Sequence, residues 1–192
     1  MSELKTISKH NLPPLDNVAK LFIPAETPDP KKAYPVSMFK GYAFISDGRR
    51  LMRLPADLLT GPHYPVKPLG NYLRIIKQCY SRHPIGERGR IDCAELEAVA
   101  RHLPIEAGDN FGQCVRIGQN LFTPSDVRAL AHVAHYTRVK HAYIIGDYNG
   151  LLALFEVGPA QLVFSPVIGI DAAAISRVPA PEIKTEREKI TL

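Results

Sequence analysis

Cysteine is scarce in this 192-residue chain: Cys79, Cys93 and Cys114 form an odd, widely spaced set with no C-x-x-C pair. That argues against a disulfide framework, a zinc knuckle or a redox dithiol, and predicts three reduced, mostly buried thiols in a cytosolic protein. Long apolar runs are missing too. The opening MSELKTISKHNLPP has no hydrophobic region of a secretory signal. The most apolar late stretch, 161–175, is broken by Pro166, Gly169 and Asp171 and is too short to span a bilayer. The expectation is a soluble cytoplasmic protein with no membrane partner.

Catalytic signatures are equally sparse. Ser125 and Ser165 lack the Gly-x-Ser-x-Gly setting of a hydrolase elbow. Gly146 and Gly150 flank a turn between two predicted strands, so no phosphate loop is signalled. His132 and His135 share a helix face and His141 is near in sequence, yet no Asp, Glu or Cys completes a metal set locally. The residues point to a non-enzyme with no cofactor and no metal. What is present in excess is positive charge: 24 Lys and Arg against 19 Asp and Glu give +5, with a pI near 9.1. The balance leans toward an anionic partner such as nucleic acid.

The best-signposted stretch runs from Thr123 to Val167. Thr123 caps a helix, Pro124 suits its first position, and Asp126 faces the free amides. Val127, Leu130, Ala131 and Ala134 make one apolar stripe, while Arg128, His132 and His135 fall elsewhere. Three β-rich runs follow, His141 to Gly146, Leu151 to Val157 and Gln161 to Val167, separated by turns at Asn149-Gly150 and Gly158-Pro159. This reads as a helix on one face of an antiparallel meander.

Upstream, Leu15 to Ile23 has helical spacing and stops at Pro24. Val36 to Phe39, Tyr42 to Ser46 and the run after Asp47-Gly48 are predicted strands. Helix, strand, strand, strand therefore occurs twice, an internal duplication of order. Between the halves, Pro55 to Pro68 is a Pro/Gly-rich joiner and Leu69 to His83 a short basic helix. GERG at 86–89 is a turn, and Asp92 caps a further helix within Arg90 to Leu103. Phe111 to Phe122 is a strand pair or one bent strand. The resulting plan is a first half over 1–60, connecting helices over 61–110, a second half over 111–172 and a mobile tail over 173–192. The fold class is α+β, antiparallel sheets with helices on one face.

Two segments resemble bacterial DNA sliding clamps. GYAFISDGRRLMRLP is similar to the clamp strand-turn-strand carrying T-D-G-H-R-L, with Ser46, Asp47, Gly48, Arg49, Arg50 and Leu51 at the matching positions. NLFTPSDVRALAHV and the strands after it resemble the end of a clamp subunit, where Val163, Phe164, Ser165, Pro166 and Val167 stand at the terminal apolar-apolar-Met-Pro sequence. Arg49 replaces the clamp His and Ser165 its Met. The resemblance covers about a third of the chain, and 192 residues suffice for one clamp-like domain.

The resemblance implies a non-enzymatic protein of DNA replication that binds duplex DNA through phosphates, without sequence specificity, as a clamp or processivity factor. A closed ring of so short a chain would need several copies, a homo-oligomer. Candidate DNA-binding residues are Lys67, Arg74, Lys77, Arg82, Arg101, Arg128, Arg138 and Lys140. The groove that takes polymerase-type peptides in clamps would here use Gly48, Arg49, Arg50, Leu51, Val163, Ser165 and Pro166. On the clamp reading, basic helices line one concave side of the sheet. The alternative is an accessory domain that contacts a replication partner without encircling DNA. Its motif would be Gly118 to Phe122, similar to clamp-binding Q-x-x-L-F peptides, and it requires Phe122 to be exposed.

Overall fold

A computed structural model of the chain describes residues 14–24, 26–29, 31–66, 70–81, 87–103, 114–147, 152–168 and 179–187. The most completely specified element is α4 (Pro124–Thr137), whose two ends are both chemically defined. Thr123 Oγ1 accepts from the Asp126 amide at 3.3 Å, and the Asp126 carboxylate accepts from the Thr123 amide at 3.2 Å. This reciprocal capping box satisfies two of the free donors of the first turn. At the other end Arg138 takes a left-handed φ of 54°, which stops the helix.

α4 leads into β8 (His141–Asp147), β9 (Ala153–Val157) and β10 (Ala160–Phe164). Earlier in the chain, α1 (Asp16–Ala19) and a 3-10 turn (Lys20–Phe22) precede β1 (Tyr34–Phe39), β2 (Tyr42–Ser46) and β3 (Arg50–Pro55). Both triplets are antiparallel meanders, and their third strands meet: β3 and β10 pair antiparallel, with Leu51 opposite Val163. Outside the meanders lie β4 (His63–Pro65), parallel to β1, and β5 (Glu87–Asp92), which pairs with β8. β11 (Ile183–Arg187) closes the far edge against β5. The sheet order is β11-β5-β8-β9-β10-β3-β2-β1-β4, and β6 (Val115–Ile117) and β7 (Asn120–Phe122) form a separate hairpin before α4.

Strand alternation assigns every sheet residue to one of two faces. Ala43, Ile45, Met52, Leu54, Phe155, Leu162 and Phe164 share a cluster with α1, α4 and α3 (Cys93–His102). Phe44, Leu51, Ile145, Leu154 and Val163 form a second cluster with α2 (Tyr72–Ser81), through its Ile76 and Cys79. The α+β class holds, but the helices lie on both faces, which corrects the one-face expectation. The reason is visible in the strands. Ala43-Phe44-Ile45, Ala153-Leu154-Phe155 and Leu162-Val163-Phe164 are continuous apolar runs, and such strands need cover on both sides.

Three further expectations change. GERG is not a turn: Glu87 to Gly89 belong to β5. The tail is not wholly without structure, because β11 docks Ile183 against the sheet. A Cβ on Gly89 would lie 2.7 Å from Ile183 Cγ2 and 2.5 Å from Ile144 Cγ2, so the missing side chain makes room for both. The Pro/Gly-rich joiner contains a 3-10 turn (Ala56–Leu58) as well as β4. Phe111 and the Asn149-Gly150 turn lie outside the described residues. Cys79, Cys93 and Cys114 are all buried, as the sequence predicts.

Candidate nucleic-acid interface

α3 begins where β5 ends. Asp92 caps it, accepting from the amides of Ala94 at 2.8 Å and Glu95 at 3.3 Å. Its packing against α4 is antiparallel, as the links between the two helices show. Near the start of α3 the Cys93 amide donates to Lys140 O at 3.0 Å. In the middle, Glu97 Oε1 lies 3.5 Å from His135 Nδ1. At the end of α3, Arg128 Nη1 donates to Leu103 O at 3.2 Å. A groove of about 420 Å³ runs between the two helices, with Arg101, Arg128, His132, His135 and Glu97 around an apolar floor that includes Ala131.

Of the sequence-predicted cations, Arg101, Arg128, Arg138 and Lys140 lie on this helix pair or at its end. Arg101, Arg138 and Lys140 are exposed and Arg128 is half-buried. Arg74 and Lys77 are exposed too, but on α2, so the sheet separates them from the first group. One concave side carrying all the basic helices is therefore not what the chain forms. Lys67 and Arg82 lie outside the described residues. His132 and His135 face the groove, whereas His141 is on β8, with Nδ1 4.0 Å from Asp92 Oδ2. Among the described residues no three His, Cys, Asp or Glu side chains converge on a metal position.

The residues predicted to wall a peptide groove are brought together where β3 and β10 pair. Gly48 occupies the β2–β3 turn at φ 89°, where the Asp47 carboxylate accepts from the amides of Arg49 at 2.9 Å and Arg50 at 2.6 Å. The Arg50 side chain folds back on Asp47, Nε to Oδ2 2.8 Å. Ser165 Oγ donates to Arg49 O at 3.2 Å, which ties the end of β10 to the turn. Leu51, Val163 and Pro166 are buried, the first two in the α2 cluster. The helix predicted as part of a DNA-facing surface instead covers the apolar part of the predicted groove.

Arg49 is engaged elsewhere. Its Nη2 donates to Asp126 Oδ2 at 3.0 Å and to Thr123 Oγ1 at 3.3 Å, joining the β2–β3 turn to the cap of α4. Asp126 is almost fully buried, and burial raises its pKa above the ordinary carboxylate value. Arg49, the Thr123 side chain and Arg50 pull it back only in part. The sequence marks Asp126 as a capping residue, but nothing local marks a partner 77 positions away.

A second buried carboxylate behaves in the opposite way. Asp16 accepts from Tyr34 Oη at 2.6 Å, from the Thr60 amide at 2.9 Å and from the Gly61 amide at 2.7 Å. Burial pushes its pKa up, but the hydrogen bonds of Tyr34, Thr60 and Gly61 outweigh that and leave it below its ordinary value. Both aspartates bind parts of the fold together, Asp126 joining α4 to the β2–β3 turn and Asp16 joining α1 to β1 and the loop at Thr60 and Gly61. Burial, with the charges of Asp92 and Glu97 nearby, pushes the Cys93 thiol up to about 11, which disfavours the thiolate form.

Phe122 is only 1% exposed and meets Phe155 and Phe164 edge-on. Gly118 to Phe122 belong to the β6–β7 hairpin and present no peptide to a clamp, which removes that motif from the accessory-domain reading. Among the described residues no helix is long and apolar enough to cross a membrane. The sequence matches no protein-family model and no curated protein significantly, so the site rests on its own geometry.

Proposed function

We propose that this is a non-enzymatic, DNA-clamp-like protein of the cytoplasm that holds duplex DNA by its phosphates, without reading sequence, in replication or processivity. The observation that carries the reading is the antiparallel α3–α4 pair, which aligns Arg101 and Arg128 beside one groove and sets Arg138 and Lys140 at the far end of α4. The Leu103 carbonyl holds the Arg128 guanidinium in place before any ligand arrives. A phosphate meeting it would cost little further side-chain ordering. The order helix, strand, strand, strand on both sides of the β3–β10 seam accords with the clamp resemblance.

The test is duplex DNA binding at two salt concentrations, with solution mass measured on the same sample. Affinity should fall steeply with salt. Arg101→Gln and Arg128→Gln each take one cation away from the phosphates, and each should lower the log–log slope by about 0.9. A ring-sized homo-oligomer would support encirclement. A monomer indifferent to DNA would sink the reading. The accessory-domain alternative rests on the apolar floor of the same groove, Ala100, Leu103 and Ala131, which suits an apolar side chain of a protein partner. Binding insensitive to salt, yet abolished by Ala131→Glu, would favour it.

A further inference from the structure

The α2 face of the sheet is covered only in part. Toward β1 and β4 it ends in exposed rings, Phe39, Tyr42 and Tyr64, which keep 39%, 37% and 38% of their surface. Phe39 and Tyr42 are paired across β1 and β2, so their rings project side by side. Tyr64 on β4 is in register with Pro35. Pro35 precedes Phe39 by four residues on the same side of β1, about 13 Å along the strand.

These rings are accompanied by cations. Lys40 Nζ lies 5.4 Å from the Phe39 ring centre, and the Arg53 guanidinium lies 3.8 Å from that of Tyr42. Arg53 also donates to Gln161 Oε1 at 2.6 Å, which fixes it over the ring. α2 carries Arg74 and Lys77, both exposed, over the rest of this face. The carboxylate two strands from Arg53 is Glu156, and it is already engaged by the Tyr80 hydroxyl and the Gln161 amide. An apolar patch built for a second copy or a greasy peptide would be depleted of lysine. A second copy would also bring the same cations against these.

Exposed aromatic rings beside fixed positive charge suit a ligand with flat π-faces and an anionic backbone. Bases inside a duplex have their faces occupied by their neighbours, whereas those of a single strand are free to stack. We propose that the β1–β2–β4 end of the sheet is a stacking platform for single-stranded nucleic acid. Phe39, Tyr42 and Tyr64 are the stacking rings, and Lys40 and Arg53 are the backbone cations. The platform lies on the opposite face from the α3–α4 layer and does not depend on it.

The probe is a labelled short oligothymidylate, with a hairpin duplex as comparison, bound to the full chain at two salt concentrations. Oligothymidylate should bind, and Phe39→Ala or Tyr42→Ala should each weaken it by about 5- to 150-fold. Tyr42→Phe, which keeps the ring, should preserve binding. Tyr64→Ala, at the sheet edge, gives the same readout with less disturbance to folding. Lys40 sits at φ 47°, a conformation asparagine tolerates, so Lys40→Asn should leave the fold intact and lower the salt slope by about 0.7. Failure to bind oligothymidylate, or equal binding by the alanine variants, overturns the proposal. So does a loss of binding that tracks a change in solution mass, which would assign the rings to self-association. Oligothymidylate binding without duplex binding would overturn the clamp reading and leave this platform standing.

Discussion

The two faces of the sheet differ in how they are finished. On one, α1, α3 and α4 form a helical layer over a continuous core. On the other, among the described residues, α2 covers the centre, while Phe39, Tyr42 and Tyr64 at one end stay partly exposed. The difference follows the strands. Where β9 and β10 are apolar at every position of a run, cover is found on both sides. Where Phe39 and Tyr42 flank a lysine–glycine turn at Lys40 and Gly41, the rings stay in contact with water. Full cover makes a core, and partial cover leaves a surface for something else to use.

Adjacent residues of β9 give the sharpest test of that contrast. Phe155 points into the helical layer and should cost about 3–5 kcal/mol when changed to alanine, read as a shift in urea midpoint with unchanged slope. Leu154 points under α2, and Leu154→Ala should cost about 2–4 kcal/mol while raising hydrogen exchange in α2 before the rest of the chain. Equal and global effects from both would break the comparison.

Next in size is the tie between the β2–β3 turn and the helical layer. Arg49→Met leaves the Asp126 carboxylate without its closest cation, and should cost about 1–3 kcal/mol. A double-mutant cycle with Asp126→Asn should recover part of that loss. Additivity of the two changes would show that the bridge contributes nothing.

The buried aspartates of the helical layer should titrate with opposite sign. Asp16 has a lowered pKa, so its contribution is full above the ordinary carboxylate value of about 3.9 and is lost as pH falls through its folded value. Asp126 has a raised pKa, so its contribution is full below about 3.9 and is lost as pH rises through its folded value. Denaturation midpoints measured across acid pH should lose the first slope in Asp16→Asn and the second in Asp126→Asn. Two slopes of the same sign would contradict the assignment.

The smallest change expected is at the end of α4. Arg138 holds a left-handed φ of 54° that glycine adopts without strain. Arg138→Gly should therefore raise stability by about 0.5–1 kcal/mol, read as a higher thermal midpoint. The same change should lower the salt slope of duplex binding if Arg138 meets a phosphate.

Much of the fold was legible because its signals are local. The cap of α4 at Thr123, the cap of α3 at Asp92 and the Asp47-Gly48 turn all act within a few residues, and each stands where the sequence places it. The strand of the tail was not legible. Ile183 is the single apolar residue of its five-residue strand, and the strand that pairs with it, β5, with Ile91 opposite Ile183, is remote in sequence.

The order of residues along the chain was enough for the α+β content, the capped helices, the two meanders and the supply of cations, since propensity, capping and turn chemistry work over short range. Long-range packing chose which face of the sheet each helix covers. It thereby separated Arg74 and Lys77 from Arg101 and Arg128, buried Leu51 and Val163 beneath α2, and set Arg49 on Asp126. Those outcomes depend on which distant apolar surfaces are buried together, and burial is non-directional, so no single stretch of the chain records them.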